Sequence, residues 1–210
     1  VLAQTQSTFS GSVNGLPDLS GGTNGIEAFS YADGLPTDAE VAAILATHPN
    51  VKASIEAEGL QARGTGAMGA NVSYAASMAH SYTTTTEYKF TLLGTSDVVV
   101  GLLDFTGYDS GLPMAIDFSV SNFGTLLVSE SFTSLASADA YFIDHALSLG
   151  MFSGSVNLML SFTLTGMDAQ GADFSYLVAS GALVPEPAEW VMLLAGLGVF
   201  GALARVRRAS

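Results

Sequence analysis

The 210-residue sequence contains no cysteine and only six basic side chains, against 19 acidic ones. Without cysteine the chain forms no disulfide and offers no thiolate for a zinc site or an iron–sulfur cluster. Its formal net charge of −13, with no basic patch to offset it, would repel the phosphates of a nucleic acid. These absences exclude cysteine-based metal sites and argue against any nucleic acid partner.

Charged residues of both signs are scarce as well. They make up 12% of the sequence, about half of the share of roughly 25% that is typical of soluble domains. Apolar residues make up 49% and aromatic residues 10%, whereas a disordered acidic segment has high charge and few aromatic residues. A chain of this length and composition can bury a core, so we expect one folded body, alone or with an appendage.

The positive charge that is present is concentrated at the C-terminal end. Residues 1–184 contain three basic and 17 acidic side chains, a net charge of −14, whereas residues 185–210 contain three arginines and two glutamates, a net charge of +1. The three arginines follow residues 190–204, a run of 15 residues without charge. The C-terminal segment therefore differs in character from the rest of the chain.

The apolar run 190–204 has the features of a membrane segment. As a helix it would extend about 22 Å, which is short for a hydrocarbon core of about 30 Å. Trp190 is placed as an interfacial anchor, and the arginine cluster at the other end fits the cytoplasmic side of a membrane. We expect this run to associate with the cytoplasmic membrane and the body to lie on its outer side. A buried core helix is the alternative.

A proline-rich hinge, Val184-Pro185-Glu186-Pro187, stands just before this run. Two prolines around a glutamate cannot continue a helix or a central strand, so the hinge is extended and accessible. The hinge, a tryptophan, an apolar stretch and an arginine cluster, in this order over residues 184–208, resemble the PEP-CTERM sorting signal. The residues that carry the resemblance are Pro185, Glu186, Pro187, Trp190, Arg205, Arg207 and Arg208.

The resemblance implies a Gram-negative bacterial host, export, transient anchoring in the membrane and cleavage near Pro185–Pro187 by an exosortase-type peptidase. Proteins with this signal are typically surface or matrix proteins of bacteria that produce exopolysaccharide. The carried-over residues would be recognised by the peptidase and would catalyse nothing themselves.

The other end of the sequence agrees with export. It begins Val1-Leu2-Ala3-Gln4, and the first three residues look like the small-residue cleavage stretch of a signal peptide. We therefore expect a signal-peptide remnant at 1–3, a body over 4–183, and a sorting or transmembrane segment over 184–210.

Alternation of apolar and polar residues with a period of two dominates the body and predicts antiparallel strands. It is clear over residues 72–82, 87–92, 116–121 and 156–165, and glycines separate these runs as turns. Residues 98–105 are nearly all apolar, as expected for a central strand. The fold class predicted is mainly β, an antiparallel β-sandwich or jelly-roll-like body, followed by a C-terminal hydrophobic helix.

Two stretches break the alternation and predict short helical inserts. Thr37-Asp-Ala-Glu40 has the form of a capping box and begins one helix, and a further turn or two is expected over 51–58. Residues 137–149 predict a second helix, with Gly150 as its C-cap. We expect both inserts to cover an open end of the sandwich.

Two patterns that suggest bound groups are interpreted as structural. Gly64, Gly66 and Gly69 spell the dinucleotide fingerprint, but a helical segment precedes them and a strand pattern follows, the reverse of what that motif requires. We interpret them as a glycine turn. The histidines His48, His80 and His145 are too widely spaced for a metal signature and are expected in the core or at its rim. No zinc-protease or serine-hydrolase motif occurs, so we expect no cofactor and no catalytic site.

Carboxylates flank two glycine-containing stretches and are candidates for calcium ligands. Asp104 and Asp109 flank the first, and Asp168 and Asp173 flank the second. Calcium takes six to eight oxygen ligands, which clustered carboxylates and carbonyls can supply. However, the spacing matches no defined calcium loop, and acidic turns usually face water.

Three functions are compatible with the sequence. The first is an exported, non-catalytic surface or matrix protein, which the sorting segment and the Ser/Thr-rich body favour. The second is an accessory structural subunit of a membrane complex, held by an uncleaved C-terminal helix with its body in the periplasm. The third is a carbohydrate-binding or carbohydrate-active surface protein. The expected partners are the membrane through 190–204, the processing peptidase, and either exopolysaccharide or other membrane-complex subunits.

Overall fold

The computed structural model describes residues 4–13, 16–17, 26–33, 36–72, 80–166 and 170–182. The signal-peptide remnant at 1–3 and the sorting segment from 184 onward, with its seven predicted recognition residues, lie outside them. None of the helices within the described residues combines the length and the apolar character that crossing a membrane requires.

The described chain is mainly β. Its strands are β1 (Gln4–Val13), β2 (Leu16–Pro17), β3 (Ile26–Asp33), β4 (Gln61–Val72), β5 (His80–Tyr108), β6 (Ala115–Asn122), β7 (Thr125–Phe132), β8 (His145–Gly166) and β9 (Gln170–Ser180). Its helices are α1 (Asp38–Thr47), α2 (Pro49–Ala57) and α3 (Leu135–Phe142). All strand pairs are antiparallel, in the order β3-β4-β9-β5-β8-β6-β7, and β1 lies beside β5 and carries β2. The predicted fold class is confirmed at this level.

The two longest strands, β5 and β8, divide the sheet into two layers. They pair from His80 and Gly166 to Leu102 and His145, with register shifts between Leu92 and Val99. Before the shifts β5 lies between β1 and β8, and after them it lies between β9 and β8. We call the first layer sheet A (β1, the first half of β5, most of β8, β6 and β7). Sheet B consists of β3, β4, β9, the second half of β5 and the first residues of β8.

The main core lies between the two sheets. The rings of Phe118 in β6 and Phe174 in β9 are 5.5 Å apart, and those of Tyr88 in β5 and Tyr176 in β9 are 6.1 Å apart. Neither β6 nor the first half of β5 pairs with β9, so these contacts join the inner faces of facing sheets, as in a β-sandwich. The alternation predicted for 156–165 is confirmed, since residues 156, 158, 160, 162 and 164 are all buried.

A second apolar cluster covers the outer face of sheet B. Val99, Leu103, Leu177 and Ala179 point away from the main core and pack against Leu45, Val51, Ile55 and Leu60 of the α1–α2 segment. The capping box that begins α1 is confirmed, because Thr37 Oγ1 accepts from Glu40 N and Glu40 accepts from Thr37 N. The predicted position of this insert was wrong. It lies on a sheet face because alternate residues of the nearly all-apolar stretch 98–105 are buried on opposite faces of sheet B.

The second helical insert is shorter than predicted. α3 ends at Phe142, and residues 145–149 belong to β8, so Gly150 is no helix cap. The chain turns at Asp144, which has a positive φ of 46° and accepts hydrogen bonds from the backbone N–H groups of Asn50 and Val51 at 3.1 Å. The rings of Tyr141 and His145 lie 4.7 Å apart across this turn. The helical spacing in the sequence continues past the turn because Leu147 of β8 packs into the main core and Ala146 packs against the cluster on the outer face of sheet B.

The glycine motif at 64–69 is also different from the prediction. These residues form no turn but lie inside β4, which pairs with β9 from Gln61 to Val72. They still do not form a dinucleotide site, because α2 precedes the strand and no helix directly follows it in the described chain. Of the strand predicted over 72–82, Val72 ends β4 and His80 begins β5, and residues 73–79 lie outside the described residues.

Arg63 holds the C-terminal end of the described body. Its guanidinium donates to Ser180 Oγ at 3.0 Å, to Ser180 O at 3.2 Å and to Gly181 O, and the residue is only 6% exposed. Two more bonds hold the same turn, from Gly181 N to Ser96 Oγ at 2.9 Å and from Leu93 N to Ala182 O at 2.8 Å. The chain therefore leaves the body from a fixed point, two residues before Val184.

We expect Arg63→Lys to lower the free energy of unfolding by about 1–2 kcal/mol, because an ammonium cannot reproduce the fork of guanidinium bonds to Ser180 and Gly181. Limited proteolysis between 182 and 190 should also become faster. Urea unfolding and peptide mapping measure the two effects. Lys52→Ala is the control, since Lys52 forms only an exposed pair with Glu56 at 3.8 Å, and should change stability by about 0.5 kcal/mol or less. Equal effects of the two substitutions would contradict the role of Arg63.

Candidate functional site

A groove of about 470 Å³ runs between α1 and the outer face of sheet B. Its volume falls within the range of small-molecule sites, about 300–1,000 Å³. Small residues contribute to the lining on both sides, Ala43 on α1 and Gly66 and Ala67 on β4. The lining residues are Ala43, Ile44, Thr47, His48, Thr65, Gly66, Ala67, Leu103, Asp104, Ser175 and Tyr176.

His48 stands at one end of the groove, at the junction of α1 and α2. It is 7% exposed, and its Nδ1 lies 2.7 Å from the carbonyl oxygen of Ile44. Nδ1 also lies 3.0 Å from Thr47 Oγ1, so two oxygens of α1 hold the ring at this nitrogen. The other ring nitrogen, Nε2, points toward Asp104, with 3.4 Å between Nε2 and Oδ1.

Asp104 reaches the groove because of an irregularity in β5. Leu102 pairs with Tyr176 and Phe105 with Phe174, so Leu103 and Asp104 together oppose the single residue Ser175. Such a bulge changes the direction of a side chain relative to the regular alternation. Leu103 packs beneath the helices, whereas the Asp104 side chain is 74% exposed. Asp104 Oδ2 lies 3.4 Å from Ser175 Oγ.

The three polar groups do not have the order of a hydrolytic triad. In that arrangement the base contacts the nucleophile and the acid orients the base from its far side. Here Asp104 lies between His48 and Ser175, and the Nδ1 of His48 is bonded to a backbone carbonyl. The serine therefore has a carboxylate as its neighbour and no imidazole. The arrangement offers hydrogen-bond acceptors to a ligand, since both contacts of Asp104 are long for hydrogen bonds.

The structure separates the predicted calcium ligands. Asp104 lies in the groove, whereas Asp109 accepts from Gly111 N at 2.5 Å in the turn after β5. Asp173 is half-buried in β9, and this burial raises the pKa of its carboxyl. Within the described residues no three histidine or acidic side chains come close enough to hold a metal ion. Asp168 lies outside these residues, so its role stays a prediction.

The sequence pattern identified parts of this groove but not the groove itself. His48 was expected in the core or at its rim and is buried there, and His145 is half-buried beside Tyr141. His80 begins β5. Ser175, Thr47 and Thr65 were not singled out, because no motif distinguishes them. His48 and Asp104 are 56 residues apart, so only the packing of α1 on sheet B brings them together.

Comparison with protein-family models gives no match, and comparison with curated proteins gives none. Among solved structures, TmCBM61 in complex with β-1,4-galactotriose is similar at 11% identity with a TM-score of 0.27, over 54% of this chain and 69% of that one. The catalytic domain of Agl-KA is similar at 14% identity with a TM-score of 0.24, over 89% of this chain.

This chain corresponds to 30% of the length of the Agl-KA domain. A structure of infectious bursal disease virus, Gt strain, is similar at 10% identity with a TM-score of 0.15, over 89% of this chain and 65% of that one. These TM-scores are too low to support an argument about function, so the groove is interpreted from its own geometry.

Proposed function

We propose that the chain is an exported, non-catalytic surface or matrix protein with an antiparallel β body and a C-terminal sorting segment. The observation that carries the proposal is the order of Pro185–Pro187, the apolar run 190–204 and the arginine cluster. The body supports it in one respect. Arg63 anchors the end of β9 at Ser180 and Gly181, and the proline-rich sequence begins three residues later in the chain, at Val184.

The native C-terminus tests the proposal. Mass spectrometry of the protein isolated from its own cells should show an end near Pro187. Alanine substitution of Pro185, Glu186 and Pro187 should leave the chain full-length and membrane-associated. An intact Arg208 in the unmodified protein would contradict processing. It would favour the alternative, an accessory subunit held in a membrane complex by an uncleaved helix with its body in the periplasm.

Deleting residues 185–210 should release a folded body from the membrane, because the proposed anchor is removed while the Arg63 contacts at 180–181 are kept. Cell fractionation measures the release, and circular dichroism of the purified body checks its strands. Replacing Arg205, Arg207 and Arg208 by alanine is the matched control, since it keeps the apolar run. Membrane retention of the deleted protein would contradict anchoring through this segment.

A carbohydrate-binding or carbohydrate-active surface protein is a second candidate, favoured by the groove beside Asp104. The whole chain should then bind at least one glycan on an array or hydrolyse one in a screen. An array and a screen that both give no signal would remove this candidate and leave the sorting proposal intact.

A further inference from the structure

We infer that the groove between α1 and sheet B binds a neutral sugar, whose hydroxyl groups bond to the Asp104 carboxylate and to His48 Nε2. The inference rests on the carbohydrate-binding candidate and assigns its site and the role of each polar group.

His48 and Asp104 form a polar pair with one long contact. Nδ1 of His48 lies 2.7 Å from Ile44 O and 3.0 Å from Thr47 Oγ1, and these contacts hold the ring so that Nε2 points at the carboxylate. Nε2 and Asp104 Oδ1 are 3.4 Å apart, longer than most hydrogen bonds. A sugar hydroxyl both donates and accepts, so it can donate to the carboxylate while it also bonds to Nε2.

A sugar hydroxyl accepts hydrogen bonds as well as donating them, and the hydroxyl of Ser175 can donate one to it. Ser175 Oγ is a donor only 3.4 Å from Asp104 Oδ2, a long contact that a ligand oxygen could replace. Thr47 Oγ1 lies 3.0 Å from both Ile44 O and His48 Nδ1, so it holds the imidazole ring in place.

The charges near the groove favour a neutral ligand over an anionic one. Asp104 is a largely exposed carboxylate, and the body as a whole is strongly acidic. Two of its basic side chains have partners elsewhere, since Lys52 pairs with Glu56 and Arg63 is bound to Ser180. An acidic sugar or a phosphate would meet a carboxylate with no compensating cation from these residues. The apolar floor formed by Ile44, Ala67 and Leu103 suits the C–H face of a ring.

Binding of neutral mono- and disaccharides to the full chain tests the inference. Saturation-transfer NMR identifies which sugar of the panel binds, and calorimetry measures its affinity. Asp104→Asn keeps the shape of the side chain but replaces one acceptor oxygen by a donor. Because hydrogen bonds to charged groups are stronger than those between neutral groups, the substitution should lower the affinity for the sugar roughly tenfold or more. Ala67→Leu fills the groove and should abolish binding.

The control is Asp139→Asn, the same change of charge at an exposed position on α3, which contributes no residue to the groove. It should leave the affinity unchanged. The imidazole nitrogen spectrum gives a readout that a general loss of stability would not produce, since the bound sugar should shift the Nε2 resonance of His48. Circular dichroism verifies that each variant is folded.

The outcomes distinguish the inference from the function on which it rests. If the unmodified chain binds a sugar and both groove variants bind it equally well, the groove is the wrong site although the carbohydrate function stands. If the chain binds no sugar of the panel, both the groove site and the carbohydrate-binding function are contradicted. Preferential binding of methylammonium, used as a simple cation, would also overturn the inference, because Asp104 would then be a cation site.

Discussion

Replacing Phe142 by alanine should lower the free energy of unfolding by about 3–5 kcal/mol, which is the usual cost of removing a large buried aromatic side chain. Phe142 is the last residue of α3 and is fully buried. Its ring contacts rings from strands of both sheets and one ring of α3 itself, at 4.5 to 6.3 Å between centroids. These rings are Phe105, Phe118, Phe132, Tyr141, Phe162 and Phe174.

The expected loss of unfolding free energy is large because the cavity left by the Phe142 ring cannot readily collapse. The surrounding rings belong to β5, β6, β7, β8 and β9, whose backbones are held by strand pairing and cannot move inward together. Urea unfolding measures the change, and the denaturant midpoint should fall while the slope stays constant.

The neighbouring residue provides the control for Phe142. Ile143 has a similar apolar character but is 45% exposed, so Ile143→Ala should cost about 1 kcal/mol or less. If both substitutions cost the same, α3 would not close the sandwich through the ring of Phe142. A lower slope in the Phe142 variant would indicate instead that its native state had become less compact.

Gly69→Ala should destabilise the body by about 2–3 kcal/mol, the upper part of the range for overpacking a tight site. Gly69 in β4 pairs with Asp173 in β9. A Cβ at this position would lie 2.5 Å from the Cβ of Asp173 and 2.8 Å from the carbonyl oxygen of Ala172. β9 cannot move away easily, since it also pairs with β5 on its other side.

Gly94→Ala is the matched control, because a Cβ there would meet no atom within 4 Å. Its effect should be small or slightly stabilising, through the lower entropy of the unfolded chain. Removing the opposing Cβ with Asp173→Gly should make Gly69→Ala less costly than it is alone, which a double-mutant cycle measures. Equal effects of Gly69→Ala and Gly94→Ala would contradict the close approach of β4 and β9.

The strands that could be predicted are those with one face in the core. Tyr88, Phe90 and Leu92 are buried while Lys89 and Thr91 are exposed, as their alternation indicates. The alternation is a local property of the chain, because neighbouring side chains of a strand point to opposite faces whatever the strand pairs with. The capping box at Thr37 could be predicted for the same reason, since its partners are three residues apart.

The wrong predictions concern segments whose local sequence pattern fits two different structures. Residues 137–149 keep a helical spacing, yet the chain turns at Asp144 and the following residues pair with β5. The glycines at 64–69 are permissive in turns, but here they permit two strands to approach closely. In both cases the residues pair with a strand distant in sequence, which a local pattern does not specify.

The sequence by itself determined that the chain is mainly β, that its acidic body lacks thiol chemistry, and that its C-terminal segment resembles a sorting signal. Each of these follows from composition, local periodicity or a contiguous motif. Only the tertiary structure decided that β5 and β8 pass through both sheets and that α1 and α2 lie on the outer face of sheet B. The groove depends on that packing, because the bulge at Asp104 and the helix junction at His48 are far apart in the chain.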